Sequence, residues 1–576
     1  MNILGISGQE RDAAAALVRD GRVIAAIEEE KLSRIRQVGM NYAGGLPYRA
    51  IEFCLEQGKI GFDEIDYVAY YLEPEKLFHR TVAFYSSRAM QVPDPGSLEA
   101  FPSYFIEALN GLRQRIRTRR LAESMLKGRG KFIEVNHHLA HGASAFFASG
   151  FDRAAVIASG YRGDMNATAL MLGEGERLTL QAESAFPHSI GLVYNAVTSA
   201  LGFNYFGDWH KPMWMAPLGK DEYEDLFRDM LAVDGKGLPL VNLDYFDPSF
   251  KGNPQLSEKF FEIAGITPRA KDEPLSAKHR NIAASLQARI EDVLCQMAVR
   301  YRDDTGEENL CFSGGVALNS LANSAIERRS GFRRLFVQPA AGNAGCCLGA
   351  ALYVWHTALE NKERVYKMEH AFLGPQFDEE TIKRVLDNCK ISYEYFLTED
   401  KLTTEVARLL AQSNIAGWFQ GAMEFGPRTL GARSILASPA TEMMRDNLNV
   451  FIKHREDFRP FSAAVPEEHA EEYFEPSQLT GFLQGVSRVR ESKRQKIPAA
   501  VFGDGLVRVH SVNRKSNPLF WKLLVRFGEI SGIPVLLNTS FNLFGEPVVS
   551  TPREAVRGFY CSGIDCLAIG NFLVKK

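Results

Sequence analysis

Three short apolar runs at the start of the chain constrain its fold more than any other feature. They cover residues 3–7, 13–18 and 23–27. Their composition is typical of strands, and Arg19-Asp20-Gly21 provides a tight turn between the last two. Further apolar runs at 154–158 and 310–312 end in glycine-bearing turns and alternate with helical stretches such as 284–301. This alternation of strands and helices predicts an α/β fold.

The length of the chain requires more than one hydrophobic core. At 576 residues it exceeds the size, about 250–300 residues, at which single cores stop growing. The apolar pattern is interrupted at Leu373-Gly374-Pro375, and a fresh helical segment follows at 379–388. We therefore predict two domains, residues 1–365 and residues 366–576. No internal repeat is visible in the sequence.

Charge and hydrophobicity exclude several classes of protein. The chain is 45% hydrophobic and 24% charged, and its formal net charge of -3 gives no general attraction to nucleic acid or to an acidic membrane. The strongest basic run, between Arg113 and Arg120, is interpreted as a solvated helix face. Neither a signal peptide nor a run of about 20 apolar residues is visible. We expect a cytoplasmic protein that binds neither nucleic acid nor membrane.

The most informative segment of the predicted N-terminal domain is rich in histidine. It reads Asn136-His137-His138-Leu139-Ala140-His141 and continues into small residues compatible with a helix. On a helix, His137 and His141 share a face. Two imidazoles at this spacing can hold one divalent metal ion if a carboxylate completes the site. Buried structural histidines explain the same spacing equally well.

Two other N-terminal segments are rich in small residues. Ser313-Gly314-Gly315 follows an apolar run, where backbone amides can approach a phosphate closely; such glycines also serve ordinary turns. Cys346-Cys347 lies in a Gly/Ala-rich stretch. We interpret these two cysteines as buried packing residues rather than redox groups.

The C-terminal part collects fixed positive charge together with hydroxyl and amide groups. The residues concerned are Arg428, Arg433, Lys453, Arg455, Arg459, Ser540 and Asn542. Guanidinium and ammonium groups combined with neutral donors suit a nucleoside triphosphate and an anhydride.

These segments, with Pro187-His188-Ser189-Ile190-Gly191 and Lys211-Pro212-Met213, resemble the O-carbamoyltransferases of antibiotic and nodulation-factor biosynthesis over the whole chain. The resemblance implies an actin/sugar-kinase-like (ASKHA) N-terminal domain and a YrdC-like α/β C-terminal domain. It implies that the C-terminal domain makes carbamoyl adenylate from carbamoyl phosphate and ATP, with Mg²⁺ accompanying the nucleotide. The N-terminal domain would then transfer the carbamoyl group to a hydroxyl of a small-molecule acceptor.

The resemblance also assigns roles to individual residues. Those that match its Lys-x-Arg and Ser-x-Asn motifs are Lys453, Arg455, Ser540 and Asn542. Supporting contacts to the cofactor are expected from Arg428, Arg433, Arg459, Ser313, Gly314 and Gly315. The residues expected around the transferred carbonyl are His137, His138 and His141. One of these histidines would act as a general base.

The N-terminal motifs depart from the family pattern. Arg11 stands where a histidine is usual, and Trp214 stands where a glycine is usual. Gly160 and Asn343 stand where the family has two metal-binding aspartates. The loss of two carboxylates, together with a new cation, argues against tightly bound iron or zinc at His137 and His141.

The departures leave several alternatives open. Asp164 and the amide oxygen of Asn343 are alternative metal ligands, and Arg11, Arg162 and Lys211 are expected to contact the substrate. The leading interpretation is carbamoyl transfer to a small-molecule acceptor. One alternative is an amide- or lactam-forming ligase that adenylates a substrate carboxylate, and another is a non-catalytic homologue. The identity of the acceptor stays open, as does the choice between a monomer and a homodimer.

Overall fold

The computed structural model describes residues 1–91, 95–203, 207–247 and 255–576, with side chains at all of these except 87–91 and 95–104. Its contacts divide the chain into two compact units. The first unit consists of Met1–Ala26 and Val38–Lys367, and the second of Ile27–Gln37 and Met368–Lys576. The sequence placed a division after residue 365, but nothing in it indicated that residues 27–37 belong with the second unit.

The apolar runs noted in the sequence are strands. Up to residue 367 the described strands are β1 (Asn2–Ser7), β2 (Ala14–Arg19), β3 (Arg22–Glu28), β4 (Tyr67–Tyr70), β5 (Lys131–Glu134), β6 (Arg153–Gly163), β7 (Asn166–Glu174), β8 (Arg177–Ala185), β9 (Leu231–Val233), β10 (Pro239–Val241), β11 (Asn309–Ser313) and β12 (Arg334–Val337). The turn between β2 and β3 has positive φ angles at Asp20 (47°) and Gly21 (76°), as a tight hairpin turn requires.

The first unit contains the same strand arrangement twice. Among the described residues, one sheet has the order β3-β2-β1-β4-β5 and another the order β8-β7-β6-β11-β12. In each, the central strand is antiparallel to its neighbour on one side and parallel to its neighbour on the other. This duplicated mixed sheet confirms the predicted actin/sugar-kinase-like α/β fold, although the two halves share no repeat that the sequence displays.

Helices connect and cover these sheets. Up to residue 367 the described α-helices are α1 (Glu29–Ser33), α2 (Tyr48–Gly58), α3 (Pro74–Gln91), α4 (Pro95–Leu126), α5 (His137–Ser149), α6 (Ile190–Ala200), α7 (His210–Met215), α8 (Glu224–Met230), α9 (Glu258–Ala264), α10 (Ala277–Thr305), α11 (Ser320–Arg329) and α12 (Gly345–Tyr353). Helix α10 includes the predicted helical stretch at 284–301. The basic run lies on α4, where the side chains of Arg113, Arg117, Arg119 and Arg120 are exposed.

The second unit is built on one mixed sheet. Its described strands are β13 (Glu394–Tyr395), β14 (Ala416–Phe419), β15 (Arg433–Ala437), β16 (Ser462–Pro466), β17 (Ser487–Arg488), β18 (Leu506–Val512), β19 (Leu536–Ser540), β20 (Cys566–Ile569) and β21 (Phe572–Lys575). Their order is β13-β21-β20-β14-β15-β19-β16-β18-β17. The predicted α/β character of the C-terminal region is therefore confirmed.

Each face of this sheet packs against its own apolar cluster because alternate residues of a strand point to opposite faces. The described α-helices of this region are α13 (Glu379–Asn388), α14 (Glu399–Ala411), α15 (Met443–Asp446), α16 (Ala470–Tyr473), α17 (Glu491–Arg494), α18 (Pro518–Ser531) and α19 (Pro552–Tyr560). Leu436 and Leu536 share a core with residues of α14 and α18, whereas Ile435 and Leu537 share a core with residues of α13 and α19.

Residues 27–37 belong to the second unit through specific polar contacts. The Lys31 ammonium donates to the carbonyl oxygens of Glu424 and Gly426 at 2.7 and 2.9 Å and pairs with the Glu28 carboxylate at 2.8 Å. Glu28 accepts a hydrogen bond from the Gly426 N–H at 2.8 Å. Arg34 donates to the carbonyl of Pro547 at 2.7 Å. These contacts hold the loop that leads into Arg428.

None of the helices among the described residues combines the length and the apolar character that crossing a bilayer requires.

Candidate active site

Helix α5, which carries the histidines, begins at a well-formed N-cap. The Asn136 side chain accepts hydrogen bonds from the backbone N–H groups of His138 and Leu139 at 3.0 and 3.2 Å. The helix continues to Ser149 and is closed by Gly150 in the left-handed region (φ 75°). The predicted helix, with His137 and His141 one turn apart, is confirmed.

The three histidines of this helix are buried and neutral. His137, His138 and His141 are 6%, 2% and 3% exposed, and the rings of His137 and His141 lie 4.7 Å apart. Burial lowers the pKa of all three imidazoles, to about 4 for His138 and about 3 for His141. Neutral imidazoles present a lone pair at pH 7, but groups with such low pKa values take up a proton only weakly.

Asp164 was one of the alternative metal ligands, and the structure gives it a different role. Its carboxylate accepts hydrogen bonds from the backbone N–H groups of His137 at 2.8 Å and Glu73 at 3.4 Å. Burial raises the pKa of this carboxyl to about 7. Among the described residues it does not join the group of possible ligands around His137 and His141. The carboxylate instead holds the first turn of α5.

A cysteine that the sequence gave no reason to choose does lie beside these histidines. Helix α12 approaches α5 closely at Gly349, where an added Cβ would be 1.8 Å from the carbonyl oxygen of Ala140. This packing places Cys346, in the first turn of α12, so that one ligand atom from each of His137, His141 and Cys346 lies within 4.8 Å of the others. Cys346 is fully buried. The prediction that Cys346 is a buried packing residue is confirmed.

The metal site implied by the resemblance does not fit this chain. It requires carboxylates at the positions of Gly160 and Asn343. An added Cβ at Gly160 would have only the backbone nitrogen of Gly315 within 4 Å, at 3.8 Å, so the space at this backbone position does not require glycine, yet no carboxylate is present. His137 and His141 keep their imidazole donors, but among the described residues no carboxylate joins them.

The glycine turn after β11 has the open backbone expected of a ligand-binding turn. Gly314 has φ 89°, and an added Cβ there would lie 2.1 Å from the carbonyl oxygen of Ser159, so glycine is required. An added Cβ at Gly315 would meet nothing within 4 Å. The buried Ser313 hydroxyl has no hydrogen-bond partner among the described residues. The turn thus leaves room for a ligand beside Gly160 and Gly315.

The predicted substrate-contacting arginines of the first unit lie against aromatic rings. The Arg11 guanidinium is 4.8 Å from the centre of the Trp209 ring and 3.7 Å from the Asp12 carboxylate. The Arg162 guanidinium is 5.9 Å from the Tyr161 ring and 5.7 Å from the Phe186 ring. Both arginines are half-buried and both act electrostatically on Tyr161. They therefore belong to one region of the unit.

Lys211 and Trp214 have different surroundings. The Lys211 ammonium pairs with the Asp208 carboxylate at 3.1 Å and lies 5.2 Å from the centre of the Phe203 ring. Trp214 is 2% exposed and belongs to the hydrophobic core. A large indole at this position therefore fills the interior.

In the second unit, the Lys-x-Arg and Ser-x-Asn motifs meet. The Lys453 ammonium contacts the carbonyl and side-chain oxygens of Ser540 (2.8 and 3.3 Å) and of Asn542 (3.0 and 2.6 Å). Arg455 Nε donates to the Asn449 side chain at 2.7 Å, and its guanidinium lies 4.6 Å from the centre of the Phe461 ring. The two motifs that were matched separately in the sequence thus form one constellation.

A cluster of cations surrounds this constellation, and we call it the cation cluster. Its members are Arg428, Lys453, Arg455, Arg459 and Arg508. Burial, and after it the neighbouring cations, lower the pKa of Arg428 to about 10 and those of Lys453, Arg455 and Arg508 well below their usual range. The Glu456 carboxylate lies 3.7 Å from Arg459.

Arg508 was not found by sequence reasoning. It is 8% exposed and lies on β18, in the otherwise mostly apolar run Leu506-Val507-Arg508-Val509. In the strand register Arg508 is opposite Ser462, and Ser462 is opposite Asn538. Asn538 and Ser540 are two residues apart and share a face of the sheet. A polar row therefore crosses three strands beside the cation cluster, and an arginine in a buried strand was the available signal.

Arg433, by contrast, was wrongly grouped with the phosphate contacts. It is fully buried, and its guanidinium donates to the carbonyl oxygens of Pro375, Gln420, Gly421 and Ala432. The guanidinium also lies 3.7 Å from the centre of the Phe419 ring. Because strand residues alternate, Arg433 points to the face opposite Ser434. Its donors hold the loop between β14 and β15 instead of facing a ligand.

The two units together define a two-domain α/β protein with an actin/sugar-kinase-like N-terminal fold. Two families match the chain, "Carbamoyltransferase N-terminus" at residues 2–352 and "Carbamoyltransferase C-terminus" at residues 407–576. The chain belongs to the carbamoyltransferase family. The resemblance identified from the motifs is thereby confirmed.

Relatives match over nearly the full length. The chain is 36% identical to the uncharacterized protein sll1178 of Synechocystis, over 100% of this chain and 97% of that protein. It is 33% identical to the nodulation protein NolNO of Sinorhizobium fredii, over 98% of this chain and 79% of that protein. Among solved structures, HypF of T. kodakarensis aligns with a TM-score of 0.37 at 14% identity, covering 63% of this chain and 49% of that chain.

Proposed function

We propose that this chain is an ATP-dependent carbamoyltransferase whose second unit makes carbamoyl adenylate and whose first unit transfers the carbamoyl group to a small-molecule acceptor. The observation that supports this most strongly is the cation cluster around Lys453, Ser540 and Asn542. Burial and neighbouring cations lower the pKa of four of the five members, and so concentrated a positive charge favours an anion of high charge as the ligand. A nucleoside triphosphate with carbamoyl phosphate supplies that charge.

The proposed activation step forms carbamoyl adenylate in the second unit. Water converts carbamoyl phosphate into carbamate and phosphate. A carbamate oxygen then forms a bond to the α-phosphorus of ATP while the bond from that phosphorus to pyrophosphate breaks, which gives carbamoyl adenylate and pyrophosphate. Negative charge develops on the departing pyrophosphate. Fixed cations such as Arg455 and Arg508, together with Arg428, would stabilise this charge, and Mg²⁺ would accompany the nucleotide. Lys453 would add its positive charge at the same site and would also hold Ser540 and Asn542 in place.

The transfer step requires a nucleophile from the acceptor. An acceptor hydroxyl attacks the carbamoyl carbon, AMP leaves, and the hydroxyl proton is passed to a base. His137, His138 and His141 are proposed around this carbonyl. One of them would accept the proton and pass it on, because burial lowers the pKa of all three imidazoles. Ser313, Gly314 and Gly315 would contact the nucleotide portion through the open turn.

Arg11 and Arg162 suggest the charge of the acceptor. Two half-buried guanidinium groups among aromatic rings suit a molecule that carries a carboxylate or phosphate beside a flat or apolar portion. The same pair would repel a polycationic acceptor. Lys211, already paired with Asp208, would contribute at the edge of such a site.

A second function is favoured by the altered first unit. A ligase would adenylate a carboxylate of its own substrate and join it to an amine, and the arginines near Tyr161 would then hold a substrate carboxylate. In this case carbamoyl phosphate takes no part. The product is the amide or lactam formed with loss of water.

Product analysis separates the two functions. The enzyme is incubated with ATP and candidate acceptors, with and without carbamoyl phosphate, while pyrophosphate, AMP and product mass are followed. Transfer predicts that pyrophosphate release depends on carbamoyl phosphate and that the product gains one carbamoyl group. Product formation with stoichiometric AMP and no carbamoyl phosphate would instead establish the ligase.

A further inference from the structure

One arginine of the basic run on α4 points into the first unit. The side chain of Arg115 is 12% exposed, whereas Arg113, Arg117, Arg119 and Arg120 of the same run are exposed. The Arg115 Nε atom is buried without a hydrogen-bond partner among the described residues. Because buried donors in proteins almost always have an acceptor, this guanidinium is suited to a ligand that supplies one.

The carboxylate beside Arg115 is a weak partner. Arg115 Nη2 lies 3.4 Å from Glu10 Oε1, and the Glu10 side chain is 66% exposed. Strong contacts between a guanidinium and an oxyanion are shorter, about 2.7–2.9 Å, and an ion pair that is open to water contributes little to stability. An oxyanion that approached Arg115 more closely would therefore displace Glu10.

The loop between β1 and β2 is anchored to α4 and to the histidine region. The side-chain oxygen of Gln9 accepts a hydrogen bond from Thr118 Oγ1 at 3.3 Å, and the backbone N–H of Gln9 donates to Tyr71 Oη at 2.8 Å. Thr118 lies three residues after Arg115 on α4. The centre of the Tyr71 ring is 5.4 Å from that of the His137 ring. The buried arginine and the charged loop therefore lie in the same region as the histidines.

Glu10 also relates Arg115 to the two arginines already assigned to the acceptor. It precedes Arg11 in the chain and acts electrostatically on Arg162 and Tyr161. The guanidinium groups of Arg11 and Arg162 lie over aromatic rings. The carboxylates near the three guanidinium groups include Glu10, Asp12 and Glu107. Displacement of Glu10 would leave the charge of Arg115 available to a ligand.

We propose that Arg115, together with Arg11 and Arg162, binds an oxyanion of the acceptor, a phosphate or a carboxylate, and that this oxyanion displaces Glu10. The aromatic rings beside Arg11 and Arg162 suit a flat apolar portion next to the oxyanion. The proposal rests on the proposed function, since the oxyanion belongs to the acceptor of the transfer step. It adds a third cation to that site and a carboxylate of the chain that competes with the acceptor.

Binding of small aromatic anions tests the site without turnover. The probes are phenyl phosphate and benzoate, with phenol as the neutral control, and each is titrated calorimetrically into the full-length chain. Mg²⁺ and α,β-methylene-ATP are kept at saturating concentration so that the cation cluster of the second unit is filled. We expect at least one anion to bind and phenol not to bind, and the tighter anion identifies the group as phosphate or carboxylate. Binding of neither anion would overturn the proposal.

Two substitutions should move the affinity for the anion in opposite directions. Arg115→Ala should weaken binding by about tenfold or more, because a charge-assisted contact is lost. Glu10→Gln should tighten binding by about two- to fivefold, the contribution of an exposed ion pair, since the competing carboxylate is removed. Arg120→Ala, which changes an exposed arginine of the same run, should bind as the wild type does. Unchanged binding in Arg115→Ala, or Glu10→Gln binding that is no tighter than wild type, would overturn the proposal.

The measurements of binding and of turnover are independent of each other. Because Glu10 is largely exposed, Glu10→Gln leaves the core intact and tests the oxyanion site even if Arg115→Ala fails to fold. A protein that binds phenyl phosphate through Arg115 and forms no carbamoylated product would refute only the proposed function. A protein that transfers carbamoyl groups and binds neither anion through Arg115 would refute only the oxyanion site.

Discussion

The cation cluster of the second unit and the histidine helix of the first unit differ in how far they keep the family pattern. In the second unit, Lys453, Arg455, Ser540 and Asn542 are all present and in contact or close to one another. In the first unit, Gly160 and Asn343 stand where the resemblance implies aspartates, and Arg11 stands where it implies a histidine. Substitution is therefore concentrated where the acceptor would react. The difference suggests a retained activation step joined to an altered transfer step.

The largest expected effect is the loss of activation when a cluster cation is removed. Arg508→Ala should lower the rate of pyrophosphate release by about 10²–10³, because a fixed donor to developing negative charge is lost. Lys383→Ala is the control, since Lys383 forms an exposed pair with Asp387 on α13. Pyrophosphate release at the wild-type rate in Arg508→Ala would show that Arg508 takes no part in activation.

A structural arginine of the same unit should behave differently. Arg433→Ala leaves four carbonyl oxygens without their charged donor and should destabilise the second unit by about 3 kcal/mol or more. Denaturant unfolding measures this loss, and Arg508→Ala should unfold at nearly the normal midpoint. If Arg433→Ala kept full stability while losing activity, the conclusion that Arg433 holds the loop between β14 and β15 would be wrong.

The smallest expected effect concerns Arg11 of the first unit, which we propose contacts the acceptor. Arg11→Ala should raise KM for an anionic acceptor by about tenfold or more, the loss of one charge-assisted contact, and leave kcat less affected. Arg113→Ala provides an exposed arginine as control. Steady-state kinetics with the acceptor as the varied substrate gives both constants. A lowered KM would indicate that Arg11 opposes rather than binds the acceptor.

Local patterns in the sequence were sufficient for much of the fold. The hairpin at Asp20-Gly21, the capped helix after Asn136 and the α/β alternation all depend on residues close together in the chain, and each is present. The duplication of the strand order was not visible because it is a similarity of topology and not of side chains. The placement of residues 27–37 in the second unit depends on distant contacts such as Lys31 with Glu424.

Less of the candidate site could be predicted from the sequence, because it too depends on contacts between residues that are distant in the chain. Cys346 reaches His137 and His141 only because α12 packs on α5, so its spacing in the chain carries no ligand signal. Arg433 and Arg428 looked alike in the sequence, yet the alternation along β15 turns Arg433 toward backbone carbonyls. Charge and motif identified the region, whereas the direction of each side chain required the structure.

A single-turnover comparison of two variants tests most directly whether the second unit performs activation and the first unit performs transfer. Pyrophosphate release from ATP and carbamoyl phosphate is measured without acceptor in wild type, Lys453→Ala and His141→Ala. We expect His141→Ala to release pyrophosphate at close to the wild-type rate, and Lys453→Ala to fall by about 10²–10³. Release that is lost in His141→Ala but kept in Lys453→Ala would contradict the assignment of activation to the second unit.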